Sequence, residues 1–249
     1  MPLPLNIEHK LLHAQTVAGL CIEEITRYFK SNPSAMVREK DSPADHPTFT
    51  FFTKKPVPTR IPLLLGDALQ NLRSALDYLV WELVISAGNK PGERNQFPVC
   101  STRKSFKDAC KGKRLDGLDV KAIYIIEGLQ LYYLLEAGIG LEHSSLAILD
   151  QLVNFNKHRY ILATPLTTTD MGNFQIVERG GIRYAYGSSI ADAQPRQFDL
   201  PCAETKTEVG VFMQIGEGYA KGIEVGACLN ALFQSIGTKI IPLFEEFFS

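Results

Sequence analysis

Two helical stripes dominate the pattern of apolar and polar positions along the chain. Between Gly66 and Leu83, the residues Leu69, Leu72, Leu76, Leu79, Val80 and Leu83 fall on one arc when stepped at 100° per residue. Between Leu146 and Arg159, the residues Leu146, Leu149, Leu152 and Val153 do the same, with Tyr160 just beyond. Each stripe carries polar side chains on or beside it. Arg73 and Asp77 flank the first stripe one turn apart, while Asn156 falls inside the second, with Asp150 and Lys157 at one margin, Asn154 and His158 on the adjoining face, and Arg159 at the end. Polar groups so placed cost free energy unless they are paired. The pattern therefore predicts an interhelical polar cluster drawn from Arg73, Asp77, Asp150, Asn154, Asn156, Lys157 and Arg159.

The remaining elements follow from periodicity and punctuation. A first amphipathic helix is predicted over 7–29, then a Ser/Pro/Asp-rich loop over 31–47 and a short strand over 48–53. The second helix starts near Pro62, where a missing amide proton is harmless, and ends near Ser86 before Gly88 and Pro91. Residues 89–116 read as connector and short helix anchored by Phe97 and Phe106, 120–135 as a third helix, and 144–160 as a fourth, capped by Ser144 or Ser145. From 161 to 215 the spacing becomes two, which predicts a meander of antiparallel strands. Helical spacing returns over 223–248. The expected fold is α+β and a single domain over 1–249. It comprises a mainly helical bundle of four to five helices (1–160 and 223–249), with a small antiparallel β-sheet from the β-rich stretch 161–217 inserted before the C-terminal helix.

Composition narrows the function classes. The chain has 249 residues, 45% of them apolar, enough to build a sizeable core, and its 26 basic and 27 acidic residues nearly cancel. No global field pulls it toward nucleic acid or an acidic membrane. Only a local basic run, Arg103, Lys104, Lys107, Lys111, Lys113 and Arg114, diluted by Asp108, Asp116 and Asp119, could do so. Five scattered cysteines without a CxxC pair argue against a disulfide framework or a cysteine zinc site. The N-terminal residues lack a signal-peptide pattern, and the apolar stretches are broken by charges too soon to cross a bilayer, so a cytoplasmic protein without membrane association is expected.

Candidate chemistry is sparse. His9 and His13 are spaced i, i+4 but lack the glutamate of an HExxH motif, so no metal is expected, and no nucleotide-binding or nucleophile-elbow motif occurs; no cofactor is expected. The polar cluster could serve packing alone, because a satisfied buried network specifies a unique core. The concentration of donors over 154–159 also suits binding of a small polar or anionic ligand or of a protein partner, and the apolar C-terminal segment with Phe244, Phe247 and Phe248 makes a homodimer possible.

The runs GDALQNLRSALDYLVWEL (66–83), QFPV (96–99) and LDQLVNFNKHR (149–159) also resemble an uncharacterised bacterial protein family that carries a GDxLxNLRSALDxL helix, a short FPI-like segment and an LxxLxNxxKHR helix. The resemblance spans roughly residues 60–162 and implies no assigned activity. A more distant resemblance is to the helical ribonuclease-like HEPN group of prokaryotic toxins and defence proteins. Its signature is an Arg followed four to six residues later by a His on one helix; here Arg73 is followed by Tyr78 at that place. This second resemblance implies RNA as partner, with Arg73 and His158 as the catalytic pair, the imidazole coming from the other helix.

Overall fold

The computed structural model describes residues 3–38, 49–161, 163–165, 171–179, 182–189, 207–209 and 212–248, and these are mainly helical. Seven α-helices occur among them: α1 (Leu5–Lys30), α2 (Arg60–Ser86), α3 (Arg103–Lys111), α4 (Val120–Gly128), α5 (Leu131–Glu136), α6 (Ser145–His158) and α7 (Val225–Phe233). Helices α1 and α2 form an antiparallel hairpin. Asn6 meets Glu82, Lys10 meets Asn71, and the Cys21 thiol lies 3.7 Å from the Ile61 carbonyl, so residue numbers rise on one helix as they fall on the other. Leu69, Leu72, Leu76, Leu79, Val80 and Leu83 of α2 are buried, which is the predicted arc, and Ile61 and Leu65 extend it toward the start of the helix against Ile7, Ala14 and Cys21 of α1.

Helix starts obey local chemistry. Thr102 and Ser105 form a reciprocal capping box on α3, Asp119 caps α4, Ser144 caps α6 and the Glu224 carboxylate accepts from the Gly226 and Ala227 amides at the start of α7. The predicted helix over 120–135 is split into α4 and α5. Gln130 occupies the break and is buried; its Oε1 accepts from the Cys100 amide (2.9 Å) and its Nε2 donates to the Ile126 carbonyl (2.8 Å). A continuous helix would forgo that anchor for the 96–100 segment.

The strands do not form one antiparallel meander. Part of the expected loop over 31–47 is strand β1 (Ser34–Arg38), paired antiparallel with β2 (Phe49–Thr53). β3 (Ala163–Pro165) pairs antiparallel with β7 (Met213–Ile215), whereas β4 (Met171–Arg179), β5 (Ile182–Ser189) and β6 (Thr207–Val209) make a separate sheet in which β6 runs parallel to β5. The expected strand positions at 162, 166–170, 180–181, 190–206 and 210–211 lie outside the described residues. Ala163, Met213 and Ile215 are buried, so the β3–β7 pair joins the helical core.

The last helix departs from α geometry. After α7 the chain widens into a π-helical stretch, Gln234–Ile240, and then tightens into a 3₁₀ stretch, Ile241–Phe248. Val225–Phe248 is, contrary to the reading of broken apolar runs, long and apolar enough to cross a membrane by length and composition. Its apolar positions are also core positions: Val225, Leu229, Leu232, Ile236, Ile240, Ile241 and Phe244 are buried. Phe247 and Phe248 pack partly buried against the same core. The aromatic tail thus covers its own monomer.

Gly66 of α2 lies against the Asn156 side chain of α6. A Cβ there would sit 2.0 Å from Asn156 Oδ1 and 2.4 Å from its Cγ, so the amide uses the space that a side chain would fill. In an ordinary helix interior Gly→Ala stabilises by about 1 kcal/mol. Here overpacking opposes it, at a typical cost of about 1–3 kcal/mol. We predict that Gly66→Ala lowers stability in urea melts and that Gly66→Ala combined with Asn156→Ala recovers it. Additive losses in the double variant would show that the two residues do not share this space.

Candidate functional site

Arg73 and Asp77 stand one turn apart on α2, as predicted, but they do not reach toward α6. They grip the backbone of one residue, Phe97, on both sides of its Cα. Asp77 Oδ1 accepts from the Phe97 amide (2.9 Å), Arg73 Nη2 donates to the Phe97 carbonyl (2.6 Å), and Arg73 Nη1 donates to Asp77 Oδ1 (2.7 Å). The guanidinium and carboxylate thus play the part of a neighbouring strand. The Phe97 ring is fully buried, and two further backbone groups of the 96–100 segment are paired: the Gln96 amide donates to the Arg114 carbonyl, and the Cys100 carbonyl accepts from the Leu131 amide. Pro98 has no amide proton to satisfy. An irregular segment inside a helical bundle needs such partners, because buried backbone groups without them are costly.

The polar residues of α6 disperse. Asp150 Oδ2 accepts from Asn154 Nδ2 (3.1 Å), and Asn154 Oδ1 accepts from Lys157 Nζ (3.4 Å), a chain along the exposed side of one helix. Asn156 abuts Gly66. Gly66 and Arg73 are seven residues apart, roughly 10 Å along the helix axis, so Asn156 and Arg73 serve different crossings. Arg159 forms an ion pair with Glu217 (2.5 Å) and stacks over Phe155. His158 ends α6 exposed to solvent, and Tyr78, also exposed, takes the Lys10 ammonium over its ring. The predicted single cluster is therefore four separate arrangements.

Two of these use residues that periodicity did not single out. Gln151 Oε1 accepts from the Tyr219 amide (2.6 Å), and together with Phe155 and Arg159 it seats the turn around Gly218, whose φ of +69° favours glycine. Gln151, Phe155 and Arg159 are spaced by four, so a face of α6 was available to be read. Gln130, in contrast, sits in an apolar run and carries no local signal. Among the described residues, no group of three or more possible metal ligands forms, and His9 and His13 are both exposed.

A groove of about 760 Å³ lies between the 93–100 segment and α3. Glu93, Arg94, Gln96, Val99 and Cys100 form one wall; Ser105, Asp108, Ala109 and Gly112 lie opposite, with Arg114 at the rim. The wall is held in place by Asn95, whose side chain accepts from the Gly92 amide and donates to the Asp116 carbonyl. Burial pushes the Cys100 thiol up, with the Arg114 charge opposing and the Asp150 charge reinforcing. This thiol is a poor nucleophile at neutral pH, since the thiolate is the reactive form.

The groove absorbs part of the predicted basic run, and structure consumes another part. Arg103 donates through Nε and Nη2 to both oxygens of Glu136 (2.8 and 2.7 Å) and lies over the rings of Tyr132 and Tyr133, clasping α3 to α5. The arginine holds the Glu136 carboxyl below its usual value. The clasp's contribution is accordingly present above the ordinary carboxylate range and fades as pH falls through the lowered one. Lys104 pairs with Asp108 (3.4 Å).

No known protein-family profile matches the chain, and neither curated proteins nor solved structures give a match.

The clamp generates a stability prediction. Arg73→Ala strands the Phe97 carbonyl and leaves Asp77 without its cation. Because Asp77 is 29% exposed and Arg73 12%, the loss is set nearer the roughly 1–3 kcal/mol of an unsatisfied polar group than that of a fully buried ion pair. Asp77→Asn keeps an acceptor for the Phe97 amide and should cost less. Urea melts of both variants and their double should show non-additive losses; additivity would mean that the two side chains act independently.

Proposed function

We propose that this chain is a bacterial cytoplasmic binding protein that takes a small polar or anionic ligand in the groove between 93–100 and α3. The supporting observation is the groove itself: a concavity of about 760 Å³, within the range of small-molecule sites, with charged and polar groups around an apolar floor of Val99 and Ala109. The predicted cluster residues support it indirectly, since Arg73 and Asp77 hold the wall that the ligand would meet. A reducing, cytoplasmic setting accords with Cys21, Cys100, Cys110 and Cys228 all being free thiols. On the same reading, the β3–β7 pair is the part of the 161–217 stretch that the bundle holds against its core.

A rival reading is RNA cleavage of HEPN type. In its favour, His158 is exposed and flanked by Lys157 and Arg159. Against it, Arg73 is engaged by Asp77 and the Phe97 carbonyl, and Arg159 by Glu217. Membership of the uncharacterised bacterial family, homodimerisation and a protein partner remain proposals on the same footing.

Ligand binding to the folded state alone stabilises it by about 2.7 kcal/mol at a concentration of 100 Kd. A thermal-shift panel of small carboxylates, amino acids and phosphates should therefore raise the melting temperature for at least one class, and Arg114→Glu should remove that shift. No shift with any class would overturn the binding reading. Purified protein should leave RNA intact; cleavage that disappears in His158→Ala would establish the rival instead.

A further inference from the structure

We propose that the ligand of this groove is a phosphomonoester of a small polar molecule, its phosphate held between Arg94 and Arg114. The inference rests on the groove being a binding site and concerns which chemistry it selects. Residues 93–116 carry seven cations (Arg94, Arg103, Lys104, Lys107, Lys111, Lys113 and Arg114) against three carboxylates (Glu93, Asp108 and Asp116), on a chain whose formal net charge is −1. That surplus is local, and Arg94 and Arg114 bring two of its cations to the cavity lining. Charge focused at a concave surface raises the local concentration of an oppositely charged ligand.

The groove-lining cations differ from their neighbours in how they are paired. Arg103 is consumed by Glu136 and Lys104 by Asp108. Among the described residues, Arg94 and Arg114 have no carboxylate within ion-pair distance, and both line the cavity. Guanidinium groups present planar forks that match phosphate oxygens in pairs. The Arg114 carbonyl accepts from the Gln96 amide, and Asn95 ties the Arg94 turn to Asp116, so both arginines start from braced backbone.

The other lining groups set the rest of the ligand. Glu93, Asp108 and Gln96 supply acceptors for hydroxyl groups, as a sugar or polyol would present. Among the described residues, no aromatic side chain lines the cavity, so they offer no platform on which a base could stack. Two carboxylates beside the arginines also repel an extended polyanion. A compact, hydroxyl-bearing phosphomonoester satisfies all three conditions; a nucleic-acid strand satisfies only the first.

The test is isothermal titration of the full chain with glucose 6-phosphate, glucose, inorganic phosphate, glutamate and a short RNA, repeated with Arg94→Gln, Arg114→Gln and, as a control away from the groove, Lys239→Gln. Circular dichroism melts confirm that each variant is folded. We expect glucose 6-phosphate to bind more tightly than inorganic phosphate, glucose to fail, and each arginine variant to weaken binding on the order of tenfold, as loss of a charged hydrogen bond entails, with Lys239→Gln unchanged. Binding of glutamate in the groove without any binding of the phosphates would overturn this inference while leaving the binding reading intact. RNA binding weakened by the arginine variants, in preference to glucose 6-phosphate, would overturn it in favour of a polyanion surface. Phosphate binding indifferent to both arginines would likewise overturn it, and the absence of all binding would remove both readings together.

Discussion

The backbone of one residue, Phe97, organises much of this bundle. Residues 96–100 belong to neither helix nor strand, so the amide and carbonyl of Phe97 have no partner from a regular element. Arg73 and Asp77 take them up instead, and the buried Phe97 ring then locks the segment to α2. The neighbouring partners follow the same rule. Gln130 breaks a helix to receive the Cys100 amide, and the Arg114 carbonyl receives that of Gln96. Remove the requirement that buried backbone groups be paired, and neither the split of α4 from α5 nor the position of the Arg114 rim has a cause.

This constraint divides the polar residues into two kinds. Those at helix edges, Arg73, Asp77, Gln130 and Gln151, are tied to backbone groups of loops that the helices must hold. Those left over after such demands are met gather where the held loop faces α3. A guanidinium already bonded to a carbonyl and a carboxylate is a poor candidate for recognising a ligand, whereas among the described residues Arg94 and Arg114 carry no such engagement. The chemistry of recognition is therefore expected one layer outside the clamp, supported by it.

The second close approach, Gly66 against Asn156, works by absence of bulk. Near the end of α6, the turn at Gly218 is seated on Gln151 and Phe155, and the Arg159–Glu217 pair closes over it. These contacts connect the residues following the β-rich stretch to the bundle. They also account for three of the α6 polar residues without any appeal to chemistry: Gln151 and Arg159 hold a turn, and Asn156 fills a gap.

The helices α1, α2, α6 and α7, the buried arc of α2, the Ser144 cap and the anchoring role of Phe97 and Phe106 were legible in the sequence, because amphipathic spacing and capping are local rules that each segment obeys by itself. That Arg73 and Asp77 would be paired was legible too, since edge charges next to an apolar stripe must find partners. Which partners they found was not. A side chain satisfied by a backbone group twenty residues away has no periodic signature, and neither does a glutamine that ends a helix or a glycine whose missing Cβ admits an amide. Periodicity assigned Asn156, Asp150 and Arg73 to a common interface because it reports the face a residue occupies, not the height along the axis at which two helices cross. The crossing heights, the strand pairings and the gathering of Arg94 and Arg114 around one groove are long-range facts, decided only when the helices pack.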